Sequence, residues 1–475
     1  MRGWLGRSAL LALTLALACG DDDGAGRDAG VDGGVDGGRD AGGDAGMDAS
    51  VDGGECSSRP DAAPPDLPDT GPLAPAPELD CGTPSFPEGT GLRRWPYLQS
   101  VTPTSARVAW TSTTGGRGVV RVAPSPDGPW TEVEASAESF PTARTDDSED
   151  YVAFDATLAE LEPSSAYCYE VVEDGTVLAS NLTLRTGWVG AGAEEGRRPL
   201  RILAFGDSGS GNDDQRALRD VFIEEEFDLF LQLGDIAYGD GTFVELEQNN
   251  FAIYRDFLHR VPSWPTIGNH DDKTDRAQPY RDVYYLPEMA LREEDQERYY
   301  SFDQGNVHFV SIDTNDATLI PIAIDIRDTV TDDMLDWLAD DLAASDAEWK
   351  IVFFHHPPYT SSSRDPNGVV RQQVVPLLEA GGVDLVLAGH DHHYERTLPM
   401  QGGCVAQPDD TGITYIIAGA GGAGLRGDVT PQFWHAASDD TVHSYVRLTI
   451  HGCVARGEAV SAEGEVLDSF ELGGC

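Results

Sequence analysis

Six apolar runs, at 200–205, 229–233, 307–312, 349–354, 383–388 and 413–418, alternate with stretches of helical periodicity at 213–226, 251–260, 331–344 and 369–380. A strand with one wet face alternates apolar and polar residues, whereas a continuous run is a strand covered on both faces. Such strands interleaved with helices predict a layered α/β domain over 200–475, with helices flanking its sheets.

Ahead of it the pattern changes to short strands and turns. Ala106, Val108 and Trp110 alternate with Arg107, Ala109 and Thr111, and 119–122 and 152–158 read as further strands. Thr114-Gly115-Gly116, Pro126-Asp127-Gly128 and the hairpin signal Asp174-Gly175 separate them. Leu161-Glu162-Pro163 followed by Tyr167 is similar to the tyrosine corner of immunoglobulin-like and fibronectin type III-like folds. An all-β sandwich is therefore expected over 89–187, with 188–199 as a Gly/Ala-rich, charged linker.

Arg2 and Arg7 precede an apolar run at 9–18 that is too short to span a bilayer. Residues 1–19 read as a signal peptide, and Ala16-Leu17-Ala18-Cys19 resembles a bacterial lipobox with Cys19 as the lipidated residue. Asp-Ala-Gly and Val-Asp-Gly-Gly units, then a Pro-rich stretch, make 20–88 a disordered tether. The expected location is outside the cytoplasm, lipid-anchored at the cell envelope or surface, or else secreted. The membrane is met only through the anchor.

Seven cysteines occur, and six remain when Cys19 is set aside. An even number in an exported chain suggests up to three disulfides. The expected pairs are Cys404 with Cys453 or Cys475, and Cys56 with Cys81. The 475 residues carry 82 Asp+Glu against 32 Lys+Arg, a formal net charge of −50. No nucleic-acid partner is expected, because phosphate backbones need basic surface. Any anionic substrate needs a local cation, and a metal can supply one.

Five motifs follow the apolar runs or short approaches to them: Gly206-Asp207-Ser208-Gly209, Gly234-Asp235-Ile236-Ala237-Tyr238, Gly268-Asn269-His270-Asp271, Phe354-His355-His356-Pro357 and Gly389-His390-Asp391-His392. Carboxyl ends of strands are where α/β sheets bind ligands. Taken singly, each motif has a plain use: an Asp capping the next helix, or a His satisfied in the core. Together they offer two Asp, a Tyr, an Asn and three His at one end of a sheet. That donor set suits first-row transition metals and exceeds what one zinc takes, so two metals sharing a ligand is the natural reading.

These blocks resemble those of the calcineurin-like metallophosphoesterases, and more closely the purple acid phosphatases. Gly209 stands where many relatives carry a His, and Tyr238 where many carry a second Asp. The resemblance implies that Asp207, Tyr238 and His392 hold one metal, that Asn269, His355 and His390 hold the other, and that Asp235 bridges them. It implies His270 over the substrate as phosphate ligand or proton donor. Tyrosinate and two carboxylates favour iron(III) at the first site; the second suits zinc, manganese or iron(II). The function implied is an acid phosphatase that attacks a small phosphomonoester with metal-bound hydroxide. A phosphodiester or nucleotide substrate on the same metals is the alternative, and an inert surface adhesion protein is a remote one. Relatives usually carry a further substrate-facing His where this chain has Arg364, which is either a phosphate ligand in its place or a solvated loop residue. His356 and His393 either refill that role or serve as outer structure. Glu395 and Arg396 are expected to support the ligand loop.

Overall fold

The computed structural model describes residues 78–188, 199–315, 331–364, 366–407 and 411–473. The expected leader, Cys19, Cys56, Cys475 and most of the tether and linker lie outside these residues.

Eight strands build the N-terminal part: β1 Leu92–Gln99, β2 Ala106–Ser112, β3 Gly118–Ala123, β4 Thr131–Glu134, β5 Ser136–Phe140, β6 Tyr151–Leu158, β7 Ala166–Glu173 and β8 Thr176–Arg185. They form two four-stranded sheets, ordered β1-β2-β6-β5 and β4-β3-β7-β8. Trp110, Phe154, Tyr169 and Leu182 fill the space between them. Asp174 (φ 47°) and Gly175 (φ 81°) make the two-residue turn joining β7 to β8. The Tyr167 hydroxyl accepts the Glu162 N–H at 2.8 Å and so closes the corner read from Leu161-Glu162-Pro163.

Two expectations fail here. Cys81 pairs with Cys168, not Cys56. Ser85 bridges to Ser180 of β8, and β8 runs beside β7, so the chain entering the sandwich passes next to Cys168. For the same reason the tether ends before residue 88: Cys81 is buried, and Phe86 stacks on Trp95 at 3.5 Å. Cys404 and Cys453 are also disulfide-bonded.

The rest of the chain adds β9 Leu200–Phe205, β10 Leu229–Gln232, β11 Ser263–Pro265, β12 Tyr300–Gln304, β13 Val307–Ser311, β14 Trp349–Phe354, β15 Leu385–Ala388, β16 Tyr394–Thr397, β17 Met400–Gln401, β18 Cys404–Val405, β19 Thr414–Ala418, β20 His435–Asp439, β21 Ser444–His451, β22 Val454–Ser461 and β23 Val466–Gly473. A six-stranded sheet, β11-β10-β9-β21-β22-β23, faces a seven-stranded one, β12-β13-β14-β15-β19-β16-β20. The neighbours β9, β10 and β11 run parallel, as do β13, β14, β15 and β19.

Alternation explains the continuous apolar runs. Phe309, Ile351, Phe353, Leu385 and Leu387 face the six-stranded sheet. Their neighbours Val310, Val352, Phe354 and Val386 pack under Met334 and Leu338 of the helix Asp332–Ala344 and Leu378 of the helix Val375–Ala380. Leu218 and Phe222 of the helix Asp213–Phe222, with Tyr254 and Phe257 of the helix Ala252–Leu258, belong to the core of the six-stranded sheet. Caps set the starts: the Asn212 side chain accepts the Gln215 N–H, and Thr331 that of Met334. The sandwich is fastened by buried polar contacts. Arg94 pairs with Glu247 at 2.8 Å, Tyr97 donates to the Val283 carbonyl at 2.7 Å, and Tyr169 to that of His259 at 2.6 Å.

Candidate metal centre

The loops after β9, β10, β11, β14 and β15 converge on one spot, carrying the five sequence blocks together. Close approach of backbones makes this possible. A Cβ on Gly268 would stand 2.1 Å from the Asp235 amide nitrogen, so no larger residue fits there. Gly209 is equally constrained: its Cβ would lie 2.2 Å from the Ile236 carbonyl, while its own carbonyl accepts the Tyr238 N–H at 2.9 Å. A histidine cannot occupy that place, because the backbone of Ile236 and Ala237 fills the space a side chain would take. Three of the converging residues take left-handed backbone conformations: Asp207 (φ 56°), Asp235 (φ 51°) and His390 (φ 72°). Each costs about 1–3 kcal/mol and persists because the surrounding loops over-determine it, a pattern found at functional sites.

The seven side chains form two triads around Asp235. In the first, the Tyr238 hydroxyl lies 2.9 Å from Asp207 Oδ1 and 3.2 Å from His392 Nε2. In the second, Asn269 Oδ1 is 3.1 Å from His355 Nε2 and 2.9 Å from His390 Nδ1, and the two ring nitrogens are 3.3 Å apart. Asp235 Oδ2 sits 3.4 Å from His355 Nε2, and its Oδ1 accepts the His270 N–H at 2.7 Å. Coordinating atoms of Asp207, Asp235 and His355 lie within 4.8 Å of one another. Backbone carbonyls set the tautomers. His355 Nδ1 is 2.8 Å from the Leu233 carbonyl and His392 Nδ1 is 2.8 Å from that of Gly424, leaving both Nε2 atoms turned inward.

In the second triad an amide oxygen and two ring nitrogens lie within 3.3 Å of one another, a cluster of donor atoms that a shared cation suits. Burial would raise the Asp235 carboxyl, but His355 and His270 outweigh it and hold it well below the usual carboxylate range. Burial, then Asp207 and Asp235, pushes the Tyr238 phenol far above its ordinary value. It is therefore a neutral phenol unless a cation stabilises its anion. The residues present fit two metal ions.

The other predicted residues divide. His270 lies at the rim, its ring 4.4 Å from that of Tyr238 and its Nδ1 2.7 Å from the Gly239 carbonyl. Arg364 reaches the centre, with Nη1 2.9 Å from His390 Nε2. His356 lies beside His390, ring centroids 4.5 Å apart and tilted, and meets the Thr314 hydroxyl through Nδ1 at 3.0 Å. Burial, with His355, pushes its imidazole down to about 3, so it is neutral. His393 turns away to Glu395 at 3.2 Å, and Glu395 grips Ser361 through both its N–H (2.7 Å) and its hydroxyl (2.6 Å). Arg396 does not support the ligand loop. Its Nε donates to Asp468 of β23 at 2.7 Å, because alternation along β16 points it to the opposite side from Glu395.

Two residues escaped the sequence reading. Asp271 is buried and accepts the amides of Gly268 (2.9 Å), Ile236 (3.1 Å) and Ala237 (3.1 Å), tying two blocks together. Its place at the end of Gly268-Asn269-His270-Asp271 was the available signal. Lys273 donates to the Gly239 carbonyl at 3.0 Å and stands 3.1 Å from His270 Nδ1; nothing in its surroundings along the chain marked it.

Comparison with known proteins agrees with this geometry. The calcineurin-like phosphoesterase family matches residues 200–394, and the purple acid phosphatase N-terminal domain matches residues 96–186. An uncharacterized protein of Mycobacterium tuberculosis is 27% identical over 313 residues, covering 56% of this chain and 57% of the relative. Purple acid phosphatase 18 of Arabidopsis thaliana is 28% identical over 240 residues, covering 47% and 50%. These matches span about half the length of the curated relatives. A purple acid phosphatase from yellow lupin seeds shares the fold, with a TM-score of 0.67 at 20% identity over 80% of this chain and 74% of that one. The chain carries a calcineurin-like phosphoesterase domain preceded by a purple acid phosphatase N-terminal domain, and its strand-end blocks are assembled at one site.

Proposed function

We propose that the protein is a metal-dependent acid phosphatase that hydrolyses small phosphomonoesters at a dinuclear centre of iron(III) and a divalent ion (zinc, manganese or iron(II)). One observation carries this reading: two triads of inward-facing donors share Asp235, and only one of them contains a phenol. Asp207, Tyr238 and His392 would hold the iron, Asn269, His355 and His390 the divalent ion, and Asp235 both. When bound, such a pair supplies positive charge for the phosphoryl oxygens and acidifies water, the trivalent ion more strongly, which favours an acidic optimum.

The chain's own side chains do the rest. Asp235 accepts the His270 amide, which fixes the imidazole's position relative to the shared ligand. The Gly239 carbonyl accepts from His270 Nδ1–H, so the imidazolium form would carry on Nε2 the proton that passes to the departing alkoxide. Arg364 and Lys273 bring cations into a site that a chain of net charge −50 would otherwise make repulsive to phosphate. The lipobox-like leader, and a disulfide between Cys81 and Cys168, support a location outside the cytoplasm with Cys19 as anchor.

The test is a pH–rate profile of the metal-loaded protein on 4-nitrophenyl phosphate and bis(4-nitrophenyl) phosphate. The monoester should be cleaved at least about tenfold faster, with its optimum below pH 7. A faster diester, or an alkaline optimum, would move the protein to the diesterase alternative, and no hydrolysis of either would favour the inert one.

A further inference from the structure

We propose that Arg364 binds the non-bridging oxygens of the phosphate monoester and sets the preference for monoester over diester; this rests on the phosphatase reading above. The first observation is how the loop before it is held. Ser361 is gripped by Glu395, Ser362 donates to Asp391 Oδ2 at 3.0 Å, and Ser363 donates to Asp428. Three consecutive serines are thus each tied to a carboxylate. The Arg364 N–H donates to Ser362 Oγ at 3.2 Å, and the Thr430 N–H closes on the Ser361 carbonyl at 2.6 Å. A loop anchored at every residue delivers one guanidinium to the donor triad.

The second observation is that the guanidinium is placed but, among the described residues, hydrogen-bonded to no carboxylate. The carboxylate beside it there is Asp391, whose Oδ1 lies 4.0 Å from Nε, beyond hydrogen-bond range, and the side chain keeps 39% of its surface exposed. Its partner is His390 Nε2, which must accept because guanidinium only donates. A neutral imidazole has one lone pair for this purpose. His390 turns Nδ1 toward Asn269 and His355 and Nε2 toward Arg364, so the guanidinium stands directly beside the donor triad. With one nitrogen on His390 and 39% of the side chain exposed, it sits at the mouth of the site.

Charge and geometry select the ligand. A monoester presents three non-bridging oxygens and up to two negative charges, and a guanidinium fork binds two such oxygens at once. A diester has one fewer such oxygen and a single charge, so it gains less from a third cation.

The experiment uses the full metal-loaded chain and its Arg364→Ala and Arg364→Lys variants. Metal content is measured first, then binding of inorganic phosphate by calorimetry, then kcat/KM on 4-nitrophenyl phosphate and bis(4-nitrophenyl) phosphate. For Arg364→Ala, two metals should remain, while phosphate binding and monoester kcat/KM fall about 10- to 100-fold and diester turnover changes less than about threefold; Arg364→Lys recovers part of the loss. Phosphate binding within about twofold of the parent would overturn the proposal. So would equal losses on both esters, or loss of metal with the arginine. If the parent cleaves neither ester, the phosphatase reading fails, and the phosphate titration still decides whether Arg364 binds the anion.

Discussion

Asp235→Asn should leave the protein folded and lower phosphatase turnover by roughly 10³-fold or more, with metal content falling from about two ions per chain to one or fewer. The carboxylate is buried between both triads, with Oδ2 at 3.4 Å from His355 Nε2. An amide of the same shape keeps an oxygen for the His270 N–H but loses the charge that two cations would share. The backbone is not the cause of the loss, because Asn tolerates the φ of 51° found at this position. Metal analysis and 4-nitrophenyl phosphate turnover, with circular dichroism to verify the fold, measure it. Two metals and activity within about tenfold of the parent would remove Asp235 from the shared position.

His270→Ala should separate by leaving group. A proton donor matters most when the departing alkoxide is basic, so turnover of an alkyl phosphate should fall about 10²- to 10³-fold while that of 4-nitrophenyl phosphate falls less than about tenfold. The substitution keeps the backbone N–H on Asp235, so both metals should stay. Equal losses on the two substrates would show that His270 acts through phosphate binding and not through proton transfer.

The strand-end blocks were legible because each packs its chemistry into consecutive residues. Gly234-Asp235-Ile236-Ala237-Tyr238 holds its turn, its carboxylate and its phenol within five positions, and the apolar run before it marks the strand. What links distant segments was not. The pairing of Cys81 with Cys168 depends on the Ser85–Ser180 bridge, which no local pattern announces. The C-terminal strands β21 and β22 carry an ion pair, Arg447 with Glu458 at 2.7 Å, on a part-exposed face. Their apolar residues are therefore interrupted, and they lack the continuous runs that marked β9 and β14. Arg364 was visible as a departure from its relatives, but its route to His390 runs through Glu395, Asp391 and Asp428, which lie 27 to 64 residues further along the chain. Asp271 stood in plain view, but its use became evident only when its carboxylate met the amides of Ile236 and Ala237.

The most direct measurement is the visible spectrum of the purified protein, taken with metal analysis and repeated on Tyr238→Phe. Burial and two carboxylates hold the Tyr238 phenol neutral without a metal, so a phenolate here means a strongly charged cation against its oxygen. The expected result is about one iron and one divalent ion per chain, a phenolate-to-iron(III) charge-transfer band with a purple or pink colour, and loss of that band in Tyr238→Phe. A colourless protein carrying zinc or manganese at both positions, or a band that survives the substitution, would contradict the assignment of Tyr238 to iron(III).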